Sequence, residues 1–208
     1  MRSSLGAVGF ALSLLTLSLL AAACGGSSEQ QTLSGFERTP TPVVNEARLP
    51  EATNDGEPFA FEAEGDDELL LVYFGFTNCP DVCPTTLADL RLALDAMQQD
   101  ERGMIDVAMI TVDPNRDTDE VLTGYVRSFV PDAAAVRTAV DSDLRVVAEA
   151  FGADYEVTTD DEGRFEVIHT GSLYAVNSAG ELLVSWPFGV PPEDITKDLR
   201  ILLERQAA

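Results

Sequence analysis

The sequence predicts an α/β sandwich, a mixed central sheet with flanking helices. Three observations carry that expectation. Two unbroken apolar runs, Leu69–Phe74 and Ile105–Val112, are too short for buried helices and read as strands covered on both faces. Each run is followed by a stretch with apolar residues at spacings of three and four, the mark of an amphipathic helix. A strand pair around Ser178-Ala179-Gly180 and a closing helix complete the order.

Taken from the N-terminus, Met1–Ala23 has Arg2, an apolar segment Leu5–Leu20 and small residues Ala21-Ala22-Ala23 before Cys24. Cysteine at that place resembles a bacterial lipobox, with Ala21 where the usual leucine stands. The resemblance implies a signal peptide over 1–23, a lipid on Cys24 and a membrane anchor on the outer face of the cytoplasmic membrane. An uncleaved spanning anchor and simple secretion are the rival readings. Residues 24–42, rich in Gly, Ser, Gln, Thr and Pro, are expected to be a flexible tether of about 20–25 Å. That leaves 43–208 as the folded domain.

Within it, Val43–Leu49 and Phe59–Phe61 read as short strands around a loop containing Asn54-Asp55-Gly56. After the core strand, a helix is expected from Pro84 to Gln99, with proline in its first turn and Leu87, Leu90, Leu94 and Met97 inward. Asp117 is the expected N-cap of the next helix, with Glu120 completing a capping box and Val121, Tyr125 and Phe129 facing the core. Asp141-Ser142 opens a helix carrying Val146, Val147 and Ala150, stopped by Gly152. Asp160–Arg164 is a polar turn, Ser172–Val176 and Glu181–Trp186 are strands, and Pro191-Pro192 starts a helix with Ile195, Leu199 and Leu202 inward. With a cysteine pair between the first core strand and its helix, this order is the thioredoxin-like arrangement.

The formal net charge of -23, from 36 acidic against 13 basic residues, repels nucleic acid and gives no reason to expect it as a partner. Of three cysteines, a lipidated Cys24 leaves the pair Cys79 and Cys83. Both fall at a helix N-terminus, where free N–H groups and the helix dipole are expected to favour thiolate. An inert disulfide is the bland alternative, but so short a loop removes little chain entropy. Three residues separate the cysteines, where thiol-disulfide enzymes of this fold have two. Two soft thiolates suit Cu(I), and an added imidazole also tolerates Cu(II). His169, the only histidine, lies before the Ser172–Val176 strand, a turn that faces the cysteine-bearing helix in a thioredoxin-like fold. Thiol-disulfide enzymes carry a cis-proline there; this segment has none.

The run Tyr73–Pro84 (YFGFTNCPDVCP) resembles the signature of the Sco/SenC family of copper-handling proteins. Ile110–Thr118, His169-Thr170 and Asn177–Glu181 agree with it in order and spacing, while Asn78 stands where members often have histidine. The resemblance implies one copper held by Cys79, Cys83 and His169 and delivered to the copper-bearing subunit of cytochrome c oxidase. A Cys79–Cys83 disulfide is expected when the thiols carry no metal, and a thioredoxin-like reductant is then a second partner. The protein reads as a metallochaperone rather than an enzyme, with a thiol-disulfide oxidoreductase as the alternative. Asp113, Arg116 and Asp117 read as structural, and Trp186 and Phe188 as core.

Overall fold

The apolar run at Leu69 becomes the middle strand of the sheet, buried along its whole length. The computed structural model describes residues 31–160, 162–163 and 165–207. In order these are β1 (Arg48–Pro50), β2 (Pro58–Ala60), β3 (Leu69–Gly75), α1 (Val82–Asp95), α2 (Gln99–Arg102), β4 (Ile105–Thr111) and α3 (Asp119–Phe129). There follow β5 (Ala134–Val136), α4 (Asp141–Phe151), β6 (Tyr155–Thr159), β7 (Phe165–His169), β8 (Leu173–Val176), β9 (Leu182–Trp186) and α5 (Pro192–Gln206). The leader and Cys24 lie outside the described residues.

The main sheet has the order β5-β4-β3-β8-β9. β3 pairs in parallel with β4 and antiparallel with β8, so the sheet is mixed, as expected. Side chains alternate along β3. Phe74 meets Phe151 of α4 and Tyr174 of β8 edge to face, with ring centroids 5.4 and 6.0 Å apart. Tyr73 points the other way, toward Thr86 and Cys83 of α1. The helices therefore cover both faces: α1, packed beside α3 and α5, on one, and α4 with β1 on the other. A Thr196 Oγ1 bond of 3.0 Å to the Ala93 carbonyl stitches α5 to α1.

Several expectations are corrected. Residues 24–42 are not a tether throughout, because the compact unit begins at Thr32. The Ser34 and Gly35 N–H groups donate to the Asp198 carboxylate at 2.8–3.0 Å. Trp186 Nε1 donates to the same carboxylate at 2.8 Å. Phe36 bridges Ser185, and Leu182 N–H donates to the Pro42 carbonyl at 2.8 Å. A Cβ on Gly35 would stand 2.4 Å from Val184 and 2.8 Å from Trp186, so only glycine lets the chain lie this close. Composition describes the segment's own side chains and is blind to the distant carboxylate that receives its backbone.

The strand expected over Val43–Leu49 shortens to β1, with Val43 in an isolated bridge. The helix expected to Gln99 ends at Asp95. Val121 and Val146 are exposed; Leu122 and Val126 form the core face of α3, and Leu144, Val147, Ala148 and Phe151 that of α4. Trp186 is core as expected, whereas Phe188 is exposed.

Asp198 is fully buried and accepts from three donors on two parts of the chain, the Ser34-Gly35 backbone and Trp186. Asp198→Ala should cost about 3 kcal/mol or more, since each charge-assisted bond contributes roughly 1.5–3 kcal/mol and the donors stay buried without an acceptor. Urea unfolding followed by Trp186 fluorescence measures the loss, and faster proteolysis between residues 32 and 42 should accompany it.

Candidate metal centre

At the end of β3 the chain must leave a buried strand and enter α1, and Gly75 permits the turn to be tight. A Cβ there would lie 2.7 Å from Tyr73 Cε1 and 3.1 Å from Cys83 Sγ. The loop that follows is pinned by Asp117, which is fully buried. Its carboxylate accepts from Thr77 N at 3.0 Å, from the Thr77 hydroxyl and from Thr111 Oγ1 at 2.6 Å. Asp117 is thus no helix cap. Thr118 caps α3 instead, its Oγ1 accepting from Val121 N at 3.3 Å. Arg116 pairs with Asp113, a structural role as expected. Burial raises the Asp113 carboxyl pKa, and Arg116 opposes the rise.

α1 begins without a side-chain cap from Asp81. Its first turn still has a free N–H to satisfy, and Cys83 N donates to Cys79 Sγ at 3.2 Å. The three-residue spacing therefore places the first sulfur over the helix N-terminus and the second inside its first turn. Cys83 is fully buried and Cys79 partly exposed, and both carry free thiols. The expected preference for thiolate is overturned at Cys83, where burial pushes the thiol up to about 12. Desolvation there outweighs the helix dipole.

His169 arrives on an element that periodicity did not reveal. It ends β7, half of a separate two-stranded hairpin with β6, rather than lying in a simple turn before β8. Three anchors fix that hairpin. Tyr155 pairs with His169 and its hydroxyl donates to Asp141 Oδ1 at 2.6 Å. Thr170 and Asp154 exchange two bonds of 2.9 Å. The Arg116 guanidinium lies 4.8 Å over the Phe165 ring. Tyr73 and Phe76 meet the imidazole edge-on, with centroids 6.2 and 5.6 Å away.

His169 Nδ1 is 3.1 Å from the Thr170 carbonyl, which only accepts, so Nδ1 carries the proton. Nε2 is left with its lone pair and faces Cys83 Sγ at 3.4 Å. Burial lowers the His169 pKa and keeps the ring neutral. Cys79, Cys83 and His169 offer donor atoms within 4.8 Å of one another, the one such group among the described residues. Two thiols and a neutral imidazole fit a soft or borderline metal ion taking few ligands.

The SCO1/SenC family model matches residues 52–204. This chain belongs to the SCO1/SenC family. As an SCO1/SenC protein it is 31% identical over 134 residues to an SCO2-like protein of Rickettsia typhi, covering 64% of this chain and 65% of that one. The chain thus spans just under two thirds of that relative's length. The solution structure of apo Sco1 from Thermus thermophilus is 28% identical with a TM-score of 0.72, covering 84% of this chain and 99% of that one. The crystal structure of Arabidopsis thaliana ScoI with copper bound is 22% identical with a TM-score of 0.66, covering 76% and 96%. These likenesses bear out the thioredoxin-like fold expected from the element order.

The raised Cys83 pKa has a signed consequence. The folded chain keeps this proton up to about 12, while the unfolded chain releases it near 9. Stability from the buried thiol is therefore complete below pH 9 and is lost as pH rises toward 12. Urea midpoints under reductant should fall across that window more steeply for the wild type than for Cys83→Ala.

Proposed function

We propose that this protein is an extracytoplasmic copper chaperone whose cargo ion is held by Cys79, Cys83 and His169. The observation that carries the reading is the convergence of two sulfurs with an imidazole nitrogen whose lone pair is already turned toward them. Thiolates select Cu(I), and the imidazole lets the same set hold Cu(II). The copper in the Arabidopsis fold neighbour agrees with that choice. The acceptor is the copper-bearing subunit of cytochrome c oxidase, in keeping with the family, and transfer proceeds by exchange of ligands.

When the thiols carry no metal, an oxidising compartment closes them to a Cys79–Cys83 disulfide, and a thioredoxin-like reductant reopens it. The alternative activity, reduction of a partner's thiols, needs a nucleophilic thiolate. Only Cys79, the partly exposed sulfur, is placed to serve as one.

Copper titration against a competing chelator, with thiols reduced, tests the proposal. One copper per chain is expected, and His169→Ala should weaken binding tens-fold or more while leaving disulfide formation intact. Copper affinity unchanged by the substitution would remove His169 from the ligand set and favour the oxidoreductase.

The domain is held at the outer face of the cytoplasmic membrane by lipid on Cys24, with 1–23 removed. No helix among the described residues is long and apolar enough to cross a membrane. Intact-mass measurement of the membrane fraction should give a chain that begins at Cys24 and carries acyl groups; a mass retaining Met1–Ala23 rejects the lipoprotein.

A further inference from the structure

The sheet face over the thiols hides a polar atom that the three donors do not explain. Tyr73 is fully buried, and its hydroxyl has no hydrogen-bond partner. The fold could have removed that cost with phenylalanine, as it does at Phe74. Instead the hydroxyl is buried beside Cys83 Sγ and Thr86. The Thr86 hydroxyl already donates to the Val82 carbonyl at 2.9 Å. The ring edge and the sulfur converge over Gly75, where an added Cβ would touch both. The same ring is edge-on to His169.

We infer that the Tyr73 hydroxyl is a donor held in reserve for the Cys83 thiolate, a positioning group that stabilises this sulfur once a metal has displaced its proton. The inference rests on the metal-site reading above. A thiol is a weak acceptor, and an O–H beside it gains little; a thiolate is a strong one. Metal binding removes the proton from a fully buried sulfur, where no water can solvate the remaining charge. A phenol already in place supplies a side-chain donor without reorganisation, beside the Phe76 backbone. Tyr125 has a second buried, unpartnered hydroxyl, but it feels the two thiols only through space. Tyr174 provides a control, since its hydroxyl is also buried and unpartnered. Its partner across the strands is Val72, so it lies on the opposite face of the sheet from Tyr73.

The test compares wild type, Tyr73→Phe and Tyr174→Phe, each reduced and titrated anaerobically with Cu(I) against a chelator and separately with Cd2+. Tyr73→Phe should weaken both metals about ten- to hundred-fold, the range for one hydrogen bond to a charged group. Its sulfur-to-Cd2+ charge-transfer band should move to longer wavelength, because an unbonded thiolate gives up its electrons more easily. Tyr174→Phe should change neither. If Tyr73→Phe does not fold, the wild type decides: its tyrosine near-ultraviolet band should shift to the red on Cd2+ addition as the phenol becomes a donor. An unmoved tyrosine band, affinity and charge-transfer band unaltered in Tyr73→Phe, or an equal loss in Tyr174→Phe overturns the inference. A wild type that binds Cd2+ with this dependence on Tyr73 but does not bind copper overturns the copper reading alone.

Discussion

Much of this architecture depends on β3 lying between a parallel neighbour and an antiparallel one. Parallel pairing sets Gly75 opposite Thr111, so the loops leaving β3 and β4 emerge at the same end of the sheet. Antiparallel pairing sets Tyr73 opposite Leu173, so the chain entering β8 arrives at that end too. The cysteine loop, the Asp113–Asp117 segment and His169 are therefore neighbours by topology before any side chain makes a contact. Ligand sites in open α/β sheets gather where strand ends converge in this way. The strand's apolar side chains, by fixing it in the middle of the sheet, fix the site as well.

Around that convergence, charge is admitted only where it is fully partnered. Asp117 and Asp198 are buried carboxylates, each with three donors, and each ties a non-helical, non-strand segment to the framework. At Cys83 the Tyr73 hydroxyl and the Phe76 backbone favour the thiolate, but burial outweighs them and the thiol keeps its proton. Burial thus accompanies structural anchors in two places and a protonated thiol in the third.

The parts legible in the sequence are those whose signal is local. The apolar run of β3, the helix behind it and the spacing of Cys79 and Cys83 depend on adjacent residues; the strand and the cysteine placement appear as read, while the helix is present but runs from Val82 to Asp95. His169 was legible as a participant because it is the only histidine, though its hairpin was not. β6 and β7 do alternate, at Tyr155-Glu156-Val157 and Phe165-Glu166-Val167, but only over these short runs, and both strands are mostly exposed, so the hairpin leaves too short a periodic signal to stand out. β5 spans three residues, too few for any period. Asp117 had the local look of a cap, and only the distant Thr77 shows where its carboxylate goes. The Ser34–Gly35 segment was misread for the same reason, since its partner Asp198 lies more than 160 residues away.

The unequal depth of the two sulfurs gives the site a front and a back. Cys79 belongs to the loop and is partly open to solvent, while Cys83 is sealed inside the first turn of α1 and His169 stands at the base of its hairpin. An incoming ligand from another protein meets the Cys79 side first, and no approach leads directly to Cys83. In the proposed hand-over, Cys79 would be the first donor an incoming ligand meets and the sealed Cys83 sulfur the last.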